Sequence, residues 1–520
     1  MKTVKYILAS FVLLVGMTSC VGDLNIEVPL DPNLNTADKA LTTPENYEAL
    51  LASIYTGFAT HGYGGQNGSP SISGLDGGTS QYLRGRHYLN GHPTDEIVCG
   101  WNDPGVPDMY PMTWTVDNVV IASFYYRICH QVSLANEFIR QANAATINLP
   151  EKARWIAEAR ALRAYCWLDG IDNFGNMPFA DETSVVGAKG PDQISRADLF
   201  DYIESECKAL LEGNDLYDYN DKNTPYGRVN KGFVAMVLAK LYLNADVYVG
   251  KKMYQECANV LAALDGKYEL HTKKNGTKYN AFQELFLADN HKCTEEIIFA
   301  VQADANNTTS WGATQYLVFG FVGGEMDPEE FGISSGWGGP RSTPEYYKKF
   351  VEKDARYLFH TEGQTIDIED PSQFKYGAAY TKFRNMNSDG TPGQLKGCVD
   401  TDFPLFRYAD ALLMKAECEL NGATGANGLD AMNKVRARAG LEPVKALNAS
   451  DLLDERAREL ALEGWRRSDL IRFGKFTSGY NWSWKGGVKA GKDMPAHLAL
   501  FPIPQSDRNS NPKLEQNKGY

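Results

Sequence analysis

The 520-residue sequence lacks the motifs by which common metal, nucleotide and nucleic-acid sites are recognised. Its eight histidines show no H-E-x-x-H spacing or other ligand spacing, and no glycine-rich phosphate loop follows a strand-like run. The formal charge of −13 has the wrong sign for binding nucleic acid or anionic lipid. Beyond residue 20, no run of 18 consecutive apolar residues occurs, so no later transmembrane helix is expected. These absences argue against a zinc or nucleotide enzyme and against a nucleic-acid-binding protein.

Cysteine pairs of the C-x-x-C type are also missing. Apart from Cys20, eight cysteines are scattered along the chain: Cys99, Cys129, Cys166, Cys207, Cys257, Cys293, Cys398 and Cys418. Many of them lie in helical patterns, where an unpaired cysteine packs as a small apolar side chain. An exported protein could pair some of them as disulfides. The pattern favours buried thiols over disulfides.

The first twenty residues have the pattern of a secretory signal. Two lysines precede a short apolar run that is too short to span a bilayer but fits the core of a signal peptide. Small residues then precede Cys20, which resembles a bacterial lipobox, where that cysteine is lipidated. We therefore predict a signal peptide over residues 1–19, lipidation of Cys20 and an extended tether up to residue 42. The alternative is an ordinary signal peptide in which Cys20 is incidental.

Hydrophobic periodicity predicts a mainly α-helical protein. Apolar residues at helical spacing recur as pairs in two blocks, about 119–265 and about 405–475, which indicates tetratricopeptide-like units of imperfect period. Two Gly-, Ser- and Trp-rich regions, 59–118 and 303–400, are too long for passive loops and should form functional surface on the helical scaffold. The first predicted helix begins at Pro44 and is capped by Thr43. Further helices are predicted at 119–143, 151–173, 196–211, 231–247, 254–264, 408–420, 429–439 and 451–464. Ser195 and Ser450 are predicted caps, and a short strand is predicted at 297–301.

Several segments in a fixed order carry a resemblance to a known family. They lie at residues 158–178, 227–243, 404–417, 433–440, 455–474 and 501–520, and include the runs Arg407-Tyr408-Ala409-Asp410 and Gly464-Trp465-Arg466-Arg467. Each segment alone is weak, but the ordered set is highly specific. Together they resemble the SusD/RagB family of surface nutrient-binding lipoproteins, over nearly the whole chain that follows the signal sequence.

The resemblance implies a fold, a location and a partner. It implies about four tetratricopeptide-like units that carry an irregular ligand-binding half, so that residues 43–520 form one domain. It also implies a lipoprotein on the outer membrane, facing the exterior, that caps a TonB-dependent barrel of the SusC type. The family is not catalytic, so we expect a protein that captures a glycan and delivers it to such a transporter. Binding of a peptide or glycoprotein in the same role is the alternative, and a surface glycosidase is a third hypothesis.

Three tryptophans match the starch-binding founder of that family in order along the chain. By this resemblance, Trp101, Trp311 and Trp337 form an aromatic arc for the curved face of an α-glucan, with Asp76 and Arg84 as its polar contacts. A sugar ring packs its C–H face on an aromatic side chain, while its hydroxyl groups need fixed donors and acceptors. The resemblance therefore implies starch or a maltooligosaccharide as the ligand.

One position departs from the founder's pattern. The amide side chain that follows the arc tryptophan has no direct counterpart here, and Asn102 is the candidate substitute. The departure concerns the detail of the site more than its class. The alternative interpretation of the tryptophans is that they fill gaps between loops and helices.

Two patterns resemble catalytic motifs. Residues 332–336 fit G-x-S-x-G, but that motif needs a strand before it and a helix after it, whereas Trp-Gly-Gly-Pro follows. Glu455, Glu459 and Glu463 are spaced to share one helix face, as a carboxylate pair of a glycosidase could be. Nearby arginines make a salt-bridged face the better interpretation. We expect neither pattern to be catalytic.

One metal hypothesis remains open. Asp289, Glu295, Asp400 and Asp402 could supply hard oxygen ligands for Ca²⁺. Solvated loop acids are the simpler interpretation. No other cofactor is indicated.

The lipid anchor can be tested by Cys20→Ala. This change should release the protein from membranes without unfolding it, because the helical core begins about twenty residues later. Several acyl chains anchor a protein stably, since each buried CH₂ contributes about 0.8 kcal/mol. Cell fractionation and circular dichroism measure the two effects. A variant that stays with the membranes after high-salt washing would contradict the predicted lipidation.

Overall fold

The computed structural model of the chain describes residues 37–185 and 190–520. The predicted signal peptide, Cys20 and the tether up to residue 36 lie outside the described residues and stay predictions. Residues 37–40 form a helical turn, so the prediction of an extended tether is wrong for these four residues.

The described residues are mainly helical, as the sequence predicts. The helices are α1 (Ala37–Ala40), α2 (Pro44–Ala59), α3 (Tyr82–Asn90), α4 (Val119–Ala144), α5 (Lys152–Asn173), α6 (Arg196–Glu212), α7 (Lys231–Leu243), α8 (Ala245–Val249), α9 (Tyr254–Ala262), α10 (Ala281–Glu284), α11 (Ala313–Phe319), α12 (Pro344–Tyr347), α13 (Tyr408–Leu420), α14 (Gly428–Arg438), α15 (Ala449–Glu459), α16 (Arg466–Arg472) and α17 (Gln505–Ser510). Helix α4 packs against α5, α6 against α7, α13 against α14, and α15 against α16. Helix α9 contacts both α7 and α13, which joins the two predicted blocks of helical pairs.

Helix α2 begins as the sequence predicts. The Asn46 amide donates to the Thr43 hydroxyl, and the Thr43 amide donates to the Asn46 side chain at 3.2 Å, so two first-turn donors are satisfied. Pro44 occupies the first helical position, where no amide donor is needed. The buried stripe of this helix contains Tyr47, Leu51, Ile54 and Phe58.

The ends of two helices differ from the predictions. The predicted helix 231–247 is divided at Asn244, whose side chain donates to the Lys240 carbonyl at 2.8 Å. Helix α15 is capped by Asn448 instead of Ser450, because the Asn448 side chain accepts from the Asp451 amide at 2.9 Å.

The regions predicted as loops also contain short elements. Helix α3 lies in the first of them, and all nine of its residues are buried, so it has no polar face that a periodic pattern could reveal. Helices α11 and α12 lie in the second region. Short 3₁₀ turns cover Gly65–Asn67, Val106–Asp108, Asn290–Lys292, Pro328–Phe331, Lys485–Gly487 and Ala496–Ala499.

The strands form two-stranded antiparallel sheets. Strand β1 (Val98–Cys99) pairs with β5 (Pro340–Arg341), β2 (Met177–Pro178) with β3 (Gln193–Ile194), β4 (Ile297–Val301) with β8 (Phe403–Arg407), and β6 (Phe359–His360) with β7 (Ala379–Tyr380). Strand β4 confirms the strand predicted at 297–301. The β4–β8 pair packs against the helices, since all ten of its residues are buried.

One large apolar cluster unites the helical blocks with the loop regions. The eight cysteines of the described chain are free, and all are buried except Cys129, which is half-buried. The prediction of buried thiols is therefore confirmed. Within residues 37–185 and 190–520, no helix combines the length and apolarity that crossing a membrane requires.

Buried ion pairs fasten the loop region 303–400 to the helices. Glu459, the last residue of α15, pairs with Arg407 at 2.9 Å and with Arg356 at 3.1 Å, and Arg438 is its third partner. All four side chains are almost fully buried. Burial raises the pKa of Glu459, but the three guanidinium groups outweigh it and hold that pKa well below its usual value.

Glu459→Gln should therefore destabilise the fold strongly. Removing one partner of a buried ion pair leaves uncompensated charge and costs about 3–5 kcal/mol, which urea denaturation can measure. Asp430→Asn is the matched control, because Asp430 pairs with Lys434 at 2.8 Å on the exposed surface and should change little. Since the folded pKa of Glu459 is lowered, its stabilisation is present above the ordinary value of 4.5 and is lost as the pH falls below it. Equal unfolding midpoints for wild type and Glu459→Gln would contradict the assignment.

Candidate functional site

A cleft lined by three tryptophans lies in the irregular half of the protein. The β1–β5 ladder pairs Cys99 with Pro340 in antiparallel register, so Trp101 and Trp337 lie beside each other where the ladder continues. Trp311 lies just before α11, and the start of α3 closes the other side. The cleft has a volume of about 410 Å³. Its lining residues are Asp76, Gly78, Thr79, Arg84, Trp101, Asp103, Trp311 and Trp337.

The three indole rings form a bent platform. The ring centroids of Trp101 and Trp337 lie 6.1 Å apart at an interplanar angle of 54°. Those of Trp311 and Trp337 lie 5.9 Å apart at 55°, so Trp337 occupies the middle. Trp101 Nε1 also donates to the Trp337 carbonyl at 3.3 Å. Each of the three is half-buried, so the rings are partly accessible to solvent.

Arg84 contacts all three tryptophans although it is only 7% exposed. Its guanidinium carbon lies 5.3 Å from the Trp101 ring centroid and 5.9 Å from that of Trp337, within the range of a cation–π contact. Its Nη1 donates to the Trp311 carbonyl at 2.8 Å, and its Nε to the Tyr88 hydroxyl at 2.9 Å. Arg84 Nη2 has no hydrogen bond to the described residues and is the donor left for a ligand.

Asp76 is held in place through one of its two carboxylate oxygens. Oδ1 accepts from the Gly78 amide at 2.9 Å, the Thr79 amide at 2.7 Å and the Thr79 hydroxyl at 2.9 Å. Burial raises the pKa of Asp76, but these bonds and the charge of Arg84 outweigh it, so the pKa lies below its ordinary value. The carboxylate stays ionised, and Oδ2, which has no hydrogen bond to the described residues, can accept from a ligand.

The Trp101 ring packs against Tyr316, which belongs to a buried hydrogen-bond network. Tyr316 lies edge-on to Trp101 with 5.9 Å between the ring centroids. Its hydroxyl is hydrogen-bonded to His87 Nδ1 at 3.1 Å and to His92 Nε2 at 2.8 Å. Burial, with the charge of Arg86, lowers the pKa of His87 to about 3, so this ring is neutral at ordinary pH. Burial also lowers the pKa of His92, so the Tyr316 hydroxyl is held by two neutral imidazole rings, through one nitrogen of each.

The structure places Asp103 in the cleft where the sequence suggested Asn102. Asn102 is exposed but does not line the cleft, whereas Asp103 does. The Val106 amide donates to the Asp103 carbonyl at 3.0 Å, so a turn begins at the residue that lines the cleft. The geometry thus does not support the prediction for Asn102. Thr79 was also missed, although its position three residues after Asp76 is typical of a turn closed by that aspartate.

The four acids proposed for calcium are not gathered into one site. Each already binds protein groups: Asp289 accepts from Ser388, Glu295 contacts His271, Asp400 accepts from the Ala305 amide, and Asp402 accepts from the Ala303 amide. Burial raises the pKa of Asp402 to about 7, which weakens it as a ligand. Among residues 37–185 and 190–520, no three His, Cys, Asp or Glu side chains are arranged to hold a metal ion.

Neither pattern that resembled a catalytic motif has the required geometry. The run 332–336 follows the 3₁₀ turn Pro328–Phe331 and not a strand. Glu455 and Glu459 lie on α15 and pair with arginines, which confirms the ion-pair interpretation. Glu463 lies beyond the end of that helix, so the prediction of one shared helix face is wrong for it; it pairs with Arg407 at 2.7 Å.

Two larger cavities lie along the helices and lack an exposed aromatic surface. Their volumes are about 710 and 730 Å³, and they share Gly266, Tyr408, Leu412 and Lys434. Tyr408 is buried, as is Tyr268 in the second cavity. The smaller tryptophan cleft is therefore the better candidate for a site that binds through ring faces.

Known proteins resemble this chain in sequence. The model of the SusD family matches residues 370–520. The chain is 30% identical to the starch-binding protein SusD of Bacteroides thetaiotaomicron, with an alignment that covers 100% of both chains.

Solved structures share the fold. A SusD superfamily protein from Parabacteroides distasonis aligns with a TM-score of 0.70 and 22% identity, over 92% of this chain and 100% of that one. Surface glycan-binding protein A from Bacteroides thetaiotaomicron, in complex with laminarihexaose, aligns with a TM-score of 0.67 and 19% identity, over 92% and 100% of the two chains. The mainly helical, tetratricopeptide-like fold is common to these proteins.

Gly339→Ala should displace the Trp101 ring. A methyl group at Gly339 would lie 2.1 Å from Trp101 Cε2, whereas carbon atoms in contact are about 3.5–4.0 Å apart. We expect the bond from Trp101 Nε1 to the Trp337 carbonyl to break, and the indole N–H resonance of Trp101 to shift. Gly397→Ala is the control, since a methyl group there would have no atom within 4 Å. An unchanged Trp101 resonance in Gly339→Ala would show that the platform is not packed as described.

Proposed function

Because the chain belongs to the SusD family, we propose that it is a non-catalytic surface lipoprotein that binds a glycan in the tryptophan cleft. The observation that carries this proposal is that three half-buried indole rings share one cleft with a guanidinium donor, Arg84, and two carboxylates, Asp76 and Asp103. Tryptophan faces pack against the C–H faces of sugar rings. Arg84 Nη2 and Asp76 Oδ2 supply charge-assisted hydrogen bonds for sugar hydroxyl groups.

We favour an α-glucan, such as starch or a maltooligosaccharide, as the ligand. Successive rings are tilted by 54° and 55°, so the three rings do not form one flat surface. The starch-binding protein SusD is 30% identical over its whole length, which supports the same class of ligand. The protein in complex with laminarihexaose is 19% identical, so it informs on the fold alone.

The cleft is suited to binding and not to hydrolysis. A glycosidase needs a carboxylic acid with a raised pKa to protonate the leaving oxygen, opposite a second carboxylate. The pKa of Asp76 is shifted in the other direction. Asp76 therefore serves as an acceptor for hydroxyl groups, and the ligand leaves the cleft chemically unchanged.

Capture at the surface serves transport in this proposal. Lipidated Cys20 would hold the protein on the outer membrane, facing the exterior, and the bound glycan would pass to a TonB-dependent transporter of the SusC type. The sequence resemblance to SusD supports this arrangement. Co-purification of the lipidated chain with such a transporter would test the partner directly.

Trp311→Ala tests the cleft with the least disturbance, because among the described residues Trp311 forms a ring contact with Trp337 alone. Stacking of a nucleobase on an aromatic side chain, a comparable face contact, is worth about 1–3 kcal/mol, so by analogy binding of maltooligosaccharides should weaken roughly five- to a hundred-fold. Isothermal titration calorimetry measures the loss. Trp484→Ala is the matched control, since Trp484 is also half-buried but does not line the cleft.

Two outcomes would contradict the proposal. Unchanged affinity in Trp311→Ala would remove the cleft as the glycan site. If the protein released reducing sugar from the glycan, and one Asp or Glu substitution abolished that release, the protein would be a glycosidase. A wild-type protein that binds β-glucans, fructans or mucin glycans and no α-glucan would keep the cleft and change the ligand.

A further inference from the structure

Tyr63 is an unusually exposed aromatic residue close to the cleft. Its side chain is 85% exposed, far more than the other large apolar residues near the tryptophans. It lies between Gly62 and Gly64 in a loop that closes where the Ser71 amide donates to the His61 carbonyl at 2.9 Å. A single exposed apolar residue needs no explanation by itself. Tyr63 matters here because its loop packs against the segments that form the cleft.

His61 connects the loop to both sides of the cleft. Its Nδ1 is hydrogen-bonded to Ser310 Oγ at 3.3 Å, immediately before Trp311. A methyl group on Gly77 would lie 2.9 Å from His61 Nε2, so this ring also touches the segment between Asp76 and Gly78. His61 therefore lies between the loop of Trp311 and the loop of Asp76.

A buried arginine and a threonine fix the loop in that position. Arg127 Nη2 donates to the His61 carbonyl at 2.7 Å, and its Nη1 to Ser71 Oγ at 2.8 Å. Its Nε donates to the Ser80 carbonyl, beside Thr79 of the cleft. On the other side, the Gln66 amide donates to Thr309 Oγ1 at 3.2 Å, two residues before Trp311. The loop is thus held at its base and along one side.

Tyr63 follows His61 by two residues, and two residues span at most about 7 Å. The Tyr63 backbone therefore lies within that distance of His61, which contacts both the loop of Trp311 and the loop of Asp76. A glycan chain that leaves the cleft past the Trp311 loop passes close enough for the exposed Tyr63 ring to be its next aromatic contact. Tyrosine combines a flat apolar face with a hydroxyl group, which suits a sugar unit that remains partly in solvent.

We propose that Tyr63 forms a fourth stacking subsite, which binds a sugar unit beyond those that the three tryptophans cover. This inference rests on the proposed function. It predicts that Tyr63 contributes to the affinity for long glycan chains and not to the affinity for short ones. The protein would therefore select polysaccharide chains over small oligosaccharides.

The test compares two ligands and three forms of the full protein. Wild type, Tyr63→Ala and Tyr63→Phe are titrated with maltotriose and with maltoheptaose by calorimetry. We expect Tyr63→Ala to weaken binding of maltoheptaose roughly five- to a hundred-fold, by analogy with other ring-stacking contacts, and to leave maltotriose unchanged. Tyr63→Phe keeps the ring face and should retain most of the affinity for the long chain. Because Tyr63 is exposed, all three forms should unfold at the same temperature.

A chemical readout separates direct contact from a folding effect. Nitration of Tyr63 by tetranitromethane, followed by mass spectrometry, should be slowed by maltoheptaose and unaffected by maltotriose. Equal affinity of wild type and Tyr63→Ala for maltoheptaose, or unprotected Tyr63 in its presence, would overturn the fourth subsite while the proposed function stands. Where wild type binds another glycan instead, short and long members of that series replace the glucans. Failure of wild type to bind α-glucans, β-glucans, fructans or mucin glycans would overturn both proposals.

Discussion

Buried guanidinium groups allow a large part of this protein to be irregular and still packed. In the region 303–400 the strands are two residues long, so most carbonyl oxygens there have no ladder partner. A buried carbonyl without a partner is costly, and a guanidinium offers five donors on one side chain. Arg341 donates to the carbonyl oxygens of Gly339, Pro371, Gln373 and Tyr376 at 2.7–2.9 Å. Burial lowers the pKa of Arg341 to about 10, which leaves it charged at neutral pH.

The same device positions the candidate site. Arg84 donates to the Trp311 carbonyl, and its charge lies against the rings of Trp101 and Trp337, so one side chain relates three segments that are distant in sequence. Arg127 does this for the base of the Tyr63 loop. Rings that are fixed before a ligand arrives lose little conformational freedom on binding, and more of the stacking free energy then appears as affinity.

Local chemistry made the scaffold predictable from the sequence, whereas contacts between distant segments did not follow from it. Helix α2 carries its own cap and apolar stripe, but α3 is buried on every side and gives no periodic signal. The neighbouring positions of Trp101 and Trp337 depend on a β ladder of two residues per strand, and only the family resemblance suggested them. The choice between Asn102 and Asp103 depends on where the chain turns after that ladder. A pattern of charges likewise does not show which of them are buried. The sequence therefore predicted that Glu459 pairs with arginines, but not that these buried pairs link the region 303–400 to the helices.

The cleft offers more stacking surface than hydrogen-bonding groups, and this ratio affects how readily a bound glycan could be released to another protein. Three rings supply most of the apolar surface, and stacking tolerates sliding of a ligand along a ring face. Directional bonds can come from few groups, chiefly Arg84, Asp76 and Asp103, and each additional fixed hydrogen bond would slow dissociation. In the proposed complex, the platform would contact one face of the glycan chain, and the opposite face would remain toward solvent because the rings are partly exposed. A glycan bound in that way would be oriented and yet accessible to a second protein, as the proposed delivery to a transporter requires.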